Sequence, residues 1–371
     1  MKAFRLPLSI AAFLGVSLST QLPAQQPADQ SQQAKYLKAL AAMHPIDAHA
    51  HVWKNDPVFN AMLEPLNLHI IDILYIDDTE KEMLPLDRQR AVALSFVRSV
   101  HGRASLCTTF DPFKFFDPNF AQNAIDALNK DFADGAIAVK VWKNIGMEIK
   151  DKNGRYITVD DPRLEPIYRD IEAHHKTLIA HQAEPDIAWS PSPDPNALSG
   201  AYYAKHPEWN MAKIPGALSK WEILKTRDHL LSENPHLRVV GAHIGSMEND
   251  LDMVAATLDR HPNFAVDTGG RVAFFTIQPS AKVKAFLMKY QDRIAYGSDL
   301  YFQGEETGAT AVEQWKSRLA MDWRYFATDD TFEYRGHMVH GLNLPPVVVE
   351  KIFHSNAIHW FPGVISTKPT T

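Results

Sequence analysis

The chain has 371 residues, of which 45% are hydrophobic and 22% are charged, the proportions of an ordinary folded, water-soluble protein. A formal net charge of −6 and the lack of a long basic run give no reason to expect nucleic-acid binding. The single cysteine, Cys107, excludes an internal disulfide bond.

The N-terminal residues predict an export signal. A short cationic start, residues 1–5, precedes a mostly apolar run, residues 6–18, which is too short to span a bilayer comfortably. With cleavage after Ala24, residues 1–24 form a signal peptide of a periplasmic or secreted protein; the alternative is an uncleaved anchor helix. The polar residues 25–34 predict a disordered leader.

Apolar strand-like runs alternate with helical segments along most of the chain. Strands are predicted at 45–53, 69–76, 104–110, 136–142, 177–182, 237–243, 264–267 and 293–297. Helices are predicted at 35–42, 86–100, 120–132, 162–174, 221–233, 249–260, 281–290, 311–323 and 346–353. Residues 186–219 contain five prolines and show no period, which predicts a long functional loop or lid.

Eight such units predict a parallel sheet that closes into a (β/α)8 TIM barrel. No strand is followed by a glycine-rich phosphate fingerprint, which disfavours an open dinucleotide-binding sheet. We therefore expect a leader and short helix over 25–43, a distorted barrel over 44–362 with C-terminal helices, and a tail over 363–371.

The stretch PIDAHAHVW, in the first predicted strand, carries the first chemical signal. Side chains alternate in a strand, so Asp47, His49, His51 and Trp53 share one face. Two imidazoles one residue apart on a rigid face can hold one metal ion. By itself the pair is a weak signal, because the chain contains 17 histidines.

Three later strands end in side chains that could complete a metal site: His181, His243 and Asp299. In a (β/α)8 barrel the active site lies at the carboxyl ends of the strands, so these residues should converge with the first pair. The competing interpretations are two buried structural histidines and an aspartate that caps a helix after Ser298, since residues 297–299 also resemble a turn.

The chain resembles the amidohydrolase superfamily, and within it the amidohydrolase-related (amidohydrolase 2) branch of metal-dependent TIM-barrel enzymes. The matching stretches are IDAHAHVW, TLIAHQAEP, VVGAHIG, AYGSDLY and KIFHSNAIHWF. The resemblance implies one divalent metal ion held by four ligands: His49, His51, His181 and Asp299. It implies that His243 stands beside the metal, and that Lys140 could be a carboxylated bridge to a second metal or an ordinary ion-pairing lysine.

The expected chemistry is hydrolysis by metal-activated water, with zinc favoured over manganese or iron. Asp299 would act as both ligand and base, and His243 would donate a hydrogen bond to the developing oxyanion. The cleaved bond would be an amide, ester or lactone. A second hypothesis is non-oxidative decarboxylation of an aromatic or enol acid, and a third is a metal- or ligand-binding barrel without turnover.

Three residues are candidate contacts for a small-molecule substrate: Trp53, Glu184 and Arg271, the last for a substrate carboxylate. Ordinary salt bridges are the alternative for Glu184 and Arg271. Four aromatic residues of the long loop could line the pocket or simply pack the loop: Trp189, Tyr202, Tyr203 and Trp209. No nucleic acid and no stable membrane insertion after signal cleavage are expected, and a homo-oligomer is left open.

Overall fold

The computed structural model describes residues 27–77, 79 and 83–365. In this part of the chain nine parallel strands form one sheet, in the order β8-β7-β6-β5-β4-β3-β2-β1-β9. The strands are β1 (Ile46–Val52), β2 (His69–Ile73), β3 (Ala104–Thr109), β4 (Ala138–Val141), β5 (Thr177–Ala180), β6 (Arg238–Gly241), β7 (Phe264–Asp267), β8 (Ile294–Ala295) and β9 (Leu300–Phe302). A separate antiparallel hairpin pairs β10 (Thr331–Tyr334) with β11 (His337–His340).

Helices connect the strands and cover the outside of the sheet. The α-helices of five or more residues are Pro27–Ala41, Pro57–Leu63, Leu86–Ser99, Phe120–Ala133, Glu165–Ala173, Gly200–Lys205, Lys220–Glu233, Leu251–Arg260, Val272–Thr276, Ser280–Lys289, Gly308–Ala327, Pro346–Glu350 and Asn356–Trp360. Both faces of β1 to β8 are buried apart from the partly buried Arg238, as expected when side chains fill the barrel interior and helices cover the exterior.

The sheet closes on itself because β8 and β9 act as one interrupted strand. Residues 296–299 form the interruption, and both of its ends are bonded to β1. The N–H of Ala48 donates to the carbonyl of Tyr296 at 2.8 Å, and the N–H of Asp299 donates to the carbonyl of His49 at 2.7 Å. The predicted (β/α)8 barrel is confirmed, with its eighth strand broken at the residues that carry Asp299.

A buried carboxylate reinforces this closing seam. Asp47 Oδ1 accepts hydrogen bonds from the N–H of Ser298 at 2.8 Å and of His49 at 3.3 Å. Asp47 Oδ2 accepts the hydroxyl of Ser298 at 2.6 Å. Burial raises the pKa of Asp47 to about 6, although these hydrogen bonds oppose the rise. Asp47 therefore ties β1 to the residue next to Asp299.

The start of the described chain differs from the expectation. The predicted disorder of residues 25–34 is wrong for residues 27–34, because the helix Pro27–Ala41 includes them. Its later turns bury Tyr36, Leu37 and Leu40, and the Tyr36 hydroxyl donates to Asp330 Oδ2 at 2.5 Å. Packing against the rest of the chain stabilises a helix whose polar first half gave no apolar signal.

Three predictions about the chain ends lie outside the described residues: the signal peptide over 1–24, residues 25 and 26 of the leader, and the tail beyond residue 365. Among the helices that the structure describes, none is both long enough and apolar enough to cross a membrane.

The long segment after β5 is more ordered than a loop without a period suggests. It contains the helix Gly200–Lys205 and three short 3-10 turns, which are Asp186–Trp189, Pro207–Trp209 and Met211–Lys213. Trp209 is buried, and the indole N–H of Trp189 donates to the carbonyl of Leu218 at 3.0 Å. The segment is therefore a packed cap at the carboxyl end of the barrel.

The seam gives a stability prediction. Asp47→Ala strands the buried N–H and hydroxyl of Ser298, and each stranded donor should cost about 1–3 kcal/mol of unfolding free energy. Ser298→Ala, which leaves the backbone bond intact, should cost less. Urea denaturation monitored by circular dichroism measures both. The control Asp134→Ala removes a carboxylate that is 49% exposed and should change stability little; equal losses in all three variants would contradict this role for the seam.

Candidate metal centre and substrate cavity

The two histidines of β1 point into the carboxyl end of the barrel with their tautomers fixed. His51 Nδ1 lies 2.7 Å from the carbonyl oxygen of Ile73, which can only accept, so this nitrogen carries the proton. His49 Nδ1 lies 2.8 Å from Asp267 Oδ2. Each ring therefore presents an unprotonated Nε2, the form in which imidazole binds a metal. Burial also lowers the pKa of His51 to about 4, which keeps it neutral.

Asp267, the last residue of β7, holds both the side chain of His49 and the backbone of His243. Its Oδ2 accepts from His49, and its Oδ1 accepts the backbone N–H groups of His243 and Gly269, both at 2.9 Å. Burial alone would raise the pKa of Asp267, but its contacts with His49 and the charge of Lys140 outweigh burial and lower it. The carboxylate is therefore ionised and able to orient a metal-binding imidazole.

Asp299 reaches the same point from the interruption between β8 and β9. Its Oδ1 lies 3.7 Å from His49 Nε2 and 3.6 Å from His51 Nε2. Burial by itself would raise the pKa of Asp299, but His51, His49 and Arg271 together hold it below its ordinary value. Its φ of 57° is left-handed, a conformation that aspartate tolerates better than most residues.

His243 follows β6 at the start of a left-handed turn, residues 243–246, whose φ angles are 60°, 58°, 61° and 57°. Such residues are strained and persist only where surrounding contacts hold them. Besides Asp267, the buried Arg227 donates to the carbonyl of Gly245 at 2.8 Å, and the Ser246 hydroxyl donates to the carbonyl of Ala183 at 2.9 Å. The strain is concentrated where the turn aims His243 into the barrel.

The tautomer of His243 changes one expectation. Its Nδ1 lies 2.8 Å from the carbonyl oxygen of Gly269, so Nδ1 carries the proton and Nε2 does not. Burial, together with the positive charges around the ring, holds the pKa of His243 well below its usual range. The sequence analysis expected His243 to donate a hydrogen bond to an oxyanion. Through Nε2, however, neutral His243 can only accept a hydrogen bond.

His181 lies beside His243 but outside the group of close ligand atoms formed by His49, His243 and Asp299. Among the described histidine, cysteine and acidic side chains, the set whose ligand atoms lie within 4.8 Å of one another is His49, His243 and Asp299. The His181 ring centre is 4.2 Å from that of His243. Both of its buried ring nitrogens lack a hydrogen-bond partner, so no hydrogen bond fixes its orientation. Its assignment as a ligand stays a prediction.

Lys140 projects from β4 into the middle of this group. Its Nζ lies 3.0 Å from His49 Nε2, the nitrogen that a metal ion would contact. The side chain is 1% exposed, and burial lowers its pKa, although the charges of Asp267 and Asp299 oppose this. Lys140 is therefore placed beside the candidate metal position, and its role as a bridge between two metals stays a prediction.

These residues open onto a cavity of about 360 Å³, a volume suited to a small organic molecule. It is lined by His49, His51, Tyr75, Asp77, Lys140, Trp142, Lys143, His181, Glu184, Ser199, Tyr202, Tyr203, His243, Arg271, Asp299, Tyr301 and Gln303. The sequence-predicted Glu184, Arg271, Tyr202 and Tyr203 thus face the cavity. Trp53, Trp189 and Trp209 are not among the lining residues, and Trp53 packs against Tyr75 and Tyr301 instead.

One wall of the cavity is a buried ionic network centred on Glu184. The ammonium group of Lys143 bonds to Glu184 Oε1, and the Tyr203 hydroxyl donates to Oε2 at 2.8 Å. Lys143 also lies 4.1 Å from the centre of the Trp209 ring. Burial alone would lower the pKa of Lys143, but Glu184 and Tyr202 raise it overall. Lys143 is therefore charged and paired with Glu184.

The sequence analysis missed several residues of the site, among them Asp267, Lys143, Tyr75 and Tyr301. Asp267 carried a usable signal, because it is a carboxylate at the end of a predicted strand, as Asp299 is. Lys143 lies two residues beyond β4 and Tyr75 two beyond β2, but neither residue type marks a site by itself. Tyr301, in β9, stacks on His51 at 4.4 Å, and no local pattern announces that contact.

The role of Asp267 can be tested by Asp267→Asn. The amide oxygen can still accept from His243 and Gly269, but the amide nitrogen cannot accept from His49 Nδ1. His49 should then carry its proton on Nε2, and metal affinity should fall by about 10- to 100-fold. A competition titration against a chromophoric chelator measures this affinity. Unchanged affinity in a variant with wild-type circular dichroism would exclude Asp267 as the residue that orients His49.

Comparisons with known proteins agree with this architecture. A family model described as "Amidohydrolase" matches residues 46–363. A search of curated proteins found no match. A solved structure named as an amidohydrolase II is 15% identical, covers 85% of this chain and 99% of its own, and has a TM-score of 0.50; at this identity the likeness concerns the fold alone.

Two further solved structures have lower TM-scores. An uncharacterised TIM-barrel protein from Bordetella bronchiseptica is 12% identical, covers 86% of this chain and 99% of its own, and has a TM-score of 0.49. The 2,6-dihydroxybenzoate decarboxylase from Rhizobium is 13% identical, covers 85% of this chain and 98% of its own, and has a TM-score of 0.46.

Proposed function

Because the chain belongs to the amidohydrolase family, we propose that it is a metal-dependent hydrolase that cleaves an amide, ester or lactone bond of a small molecule. The observation that carries the proposal is the set formed by the buried His49 and His51 and the partly buried Asp299, with two unprotonated Nε2 atoms and a carboxylate facing one another. The set opens onto a cavity that suits a small substrate.

The donors suit one divalent ion. Two neutral imidazoles and a carboxylate favour zinc, although manganese and iron accept the same ligands. His181 is the fourth proposed ligand, because neither of its buried ring nitrogens has a hydrogen-bond partner. An ion held there supplies Lewis acidity, which makes water a nucleophile at neutral pH.

The other steps of the proposed reaction depend on side chains of the site. Asp299, which stays ionised, accepts the proton of the attacking water. His243 accepts a hydrogen bond through Nε2 from that water or from a substrate N–H, and so orients it. Tyr202 and Tyr203, from the packed segment after β5, close the cavity against bulk water.

We also propose that the enzyme is exported. The sequence of residues 1–24 supports export to the periplasm or beyond, followed by removal of the signal peptide. We propose small molecules as its substrates, and neither nucleic acid nor membrane as its partner.

Non-oxidative decarboxylation of an aromatic or enol acid is the second candidate. The observation that favours it is Arg271, a cation in the cavity wall that could hold a substrate carboxylate. The two reactions differ in product. Release of carbon dioxide from an acid, with a proton in place of the lost carboxylate, would support decarboxylation, whereas a new carboxylate formed from an amide, ester or lactone would support hydrolysis.

Metal removal tests the whole proposal. The purified mature protein should contain about one divalent ion per chain by mass spectrometry. It should hydrolyse at least one member of a panel of amides, esters and lactones, lose that activity in chelator, and regain it when zinc is added. Activity that survives complete removal of the metal would overturn the mechanism.

His181 and His243 should separate metal binding from turnover. His181→Ala should lower the metal content sharply, because it removes a ligand. His243→Ala should keep most of the metal but lower kcat by about 10²- to 10⁴-fold. The control His229→Ala removes a side chain that is 57% exposed and should change neither. The reverse outcome would assign the ligand role to His243, which lies nearer to His49 and Asp299.

A further inference from the structure

The amino-terminal end of the barrel, opposite to the candidate metal centre, carries two adjoining depressions. The smaller measures about 300 Å³ and the larger about 700 Å³, and His236 and Arg238 line both of them. Arg238 is the first residue of β6 and lies opposite Thr177, the first residue of β5, in the register of the sheet. Lys176 directly precedes β5 and lines the smaller depression. Two cations therefore lie at the starts of neighbouring strands.

These two cations are poorly compensated. The bond from Arg238 to the carbonyl oxygen of His175 is 3.5 Å long, and Arg238 Nε is buried without a hydrogen-bond partner. A guanidinium has five N–H donors, and a buried donor without an acceptor is costly. Burial lowers the pKa of the partly buried Lys176, whose ammonium group lies 5.5 Å from the centre of the Phe132 ring. Neither cation forms a salt bridge with a described residue.

The other lysine and arginine side chains that line the two depressions have close partners. The guanidinium of Arg169 lies 2.8 Å from Glu165 Oε1, and the ammonium group of Lys351 lies 2.7 Å from Asp292 Oδ1. Arg293 donates to backbone carbonyl oxygens at 2.6 Å. The two cations at the strand starts are therefore the ones on this face that lack a close counter-ion in the described chain.

We propose that this face holds a second ligand site, which binds a soluble phosphate monoester with an apolar body. The phosphoryl oxygens accept hydrogen bonds from Arg238 and Lys176 in the smaller depression, and the apolar body lies in the larger. A phosphoryl group has three acceptor oxygens and a charge of about −1.5 to −2 at neutral pH, which suits two cationic donors better than a carboxylate does. The site is separate from the candidate metal centre and does not depend on the proposed function.

The larger depression provides the apolar surface. Pro235, Pro262 and Trp360 line it, and its volume suits a small organic molecule. The indole N–H of Trp360 donates to the carbonyl oxygen of Asp292 at 3.0 Å, so the polar atom of this ring is already satisfied. Because Arg238 lines both depressions, a ligand bound to its guanidinium extends from one depression into the other.

One acidic side chain opposes an anion in the smaller depression. Glu172 lines it without forming a salt bridge to either of the two cations within the described chain. Its negative charge repels a phosphoryl group at close range. Removal of this charge should therefore strengthen binding, whereas removal of either cation should weaken it.

The test measures binding to the purified mature protein by calorimetry, with phenyl phosphate, inorganic phosphate and benzoate as probes. The comparison concerns the binding step that Arg238→Gln weakens, because phosphate bound at the distant metal centre would not respond to this substitution. In that step phenyl phosphate should bind about tenfold more tightly than benzoate, which has fewer charged acceptors. It should bind about fivefold more tightly than inorganic phosphate, which buries no apolar surface.

The variants assign the step to this face. Arg238→Gln should weaken the binding of phenyl phosphate about tenfold, and Lys176→Gln about threefold. Arg238→Lys keeps the charge without the fork of donors, so it should retain part of the affinity, and it serves if the glutamine variant does not fold. Glu172→Gln should tighten binding about threefold. The control Arg169→Gln, in the same depression but already paired and 75% exposed, should leave the affinity unchanged.

Three results would overturn the inference: phenyl phosphate does not bind, Arg238→Gln leaves its affinity unchanged, or benzoate binds as tightly. A further arm distinguishes a soluble ester from a lipid headgroup, by sedimentation with phosphatidylcholine vesicles that contain or lack phosphatidic acid. Binding to phosphatidic acid vesicles without binding of phenyl phosphate would also overturn the inference, because a membrane surface would then be the ligand.

Discussion

The buried carboxylate of Asp267 is the constraint on which the site depends. It fixes the proton of His49 on the side away from the cavity and, through its other oxygen, holds the backbone at the start of the turn that carries His243. Two histidines from strands far apart in the barrel order thereby share one ionised anchor. Without it, the unprotonated Nε2 of His49 would lose the hydrogen bond that defines its tautomer.

Backbone strain is found at the same edge of the barrel. Ala183, Asp299 and the residues 243–246 all have positive φ angles, and each follows a strand of the closed sheet. The rigid sheet keeps these conformations in place, and they direct the side chains of His243 and Asp299 toward the candidate metal site. The seam contact of Asp47 with Ser298 serves the same end, because it holds the broken eighth strand against β1.

The cavity wall shows how buried charge is made tolerable and useful. Lys143 and Glu184 neutralise each other, and the lysine packs against Tyr202 and Trp209 of the segment after β5. That segment was expected to be a long functional loop or lid, and the packing that orders it as a cap is not revealed by any local period. Against this paired background Arg271 stands out, since its buried Nε has no hydrogen-bond partner among the described residues.

The sequence by itself determined the (β/α)8 class, because eight apolar runs alternating with helices have few other ways to bury both faces of their strands. It also placed His49, His51 and Asp299 at one edge, since the carboxyl ends of parallel strands meet there. Only the tertiary structure decided which partner each ring nitrogen has, that Asp267 links two histidines, and that Trp53 lies outside the cavity. Those outcomes depend on contacts between residues 22 to 218 positions apart, and no local pattern in the sequence reveals them.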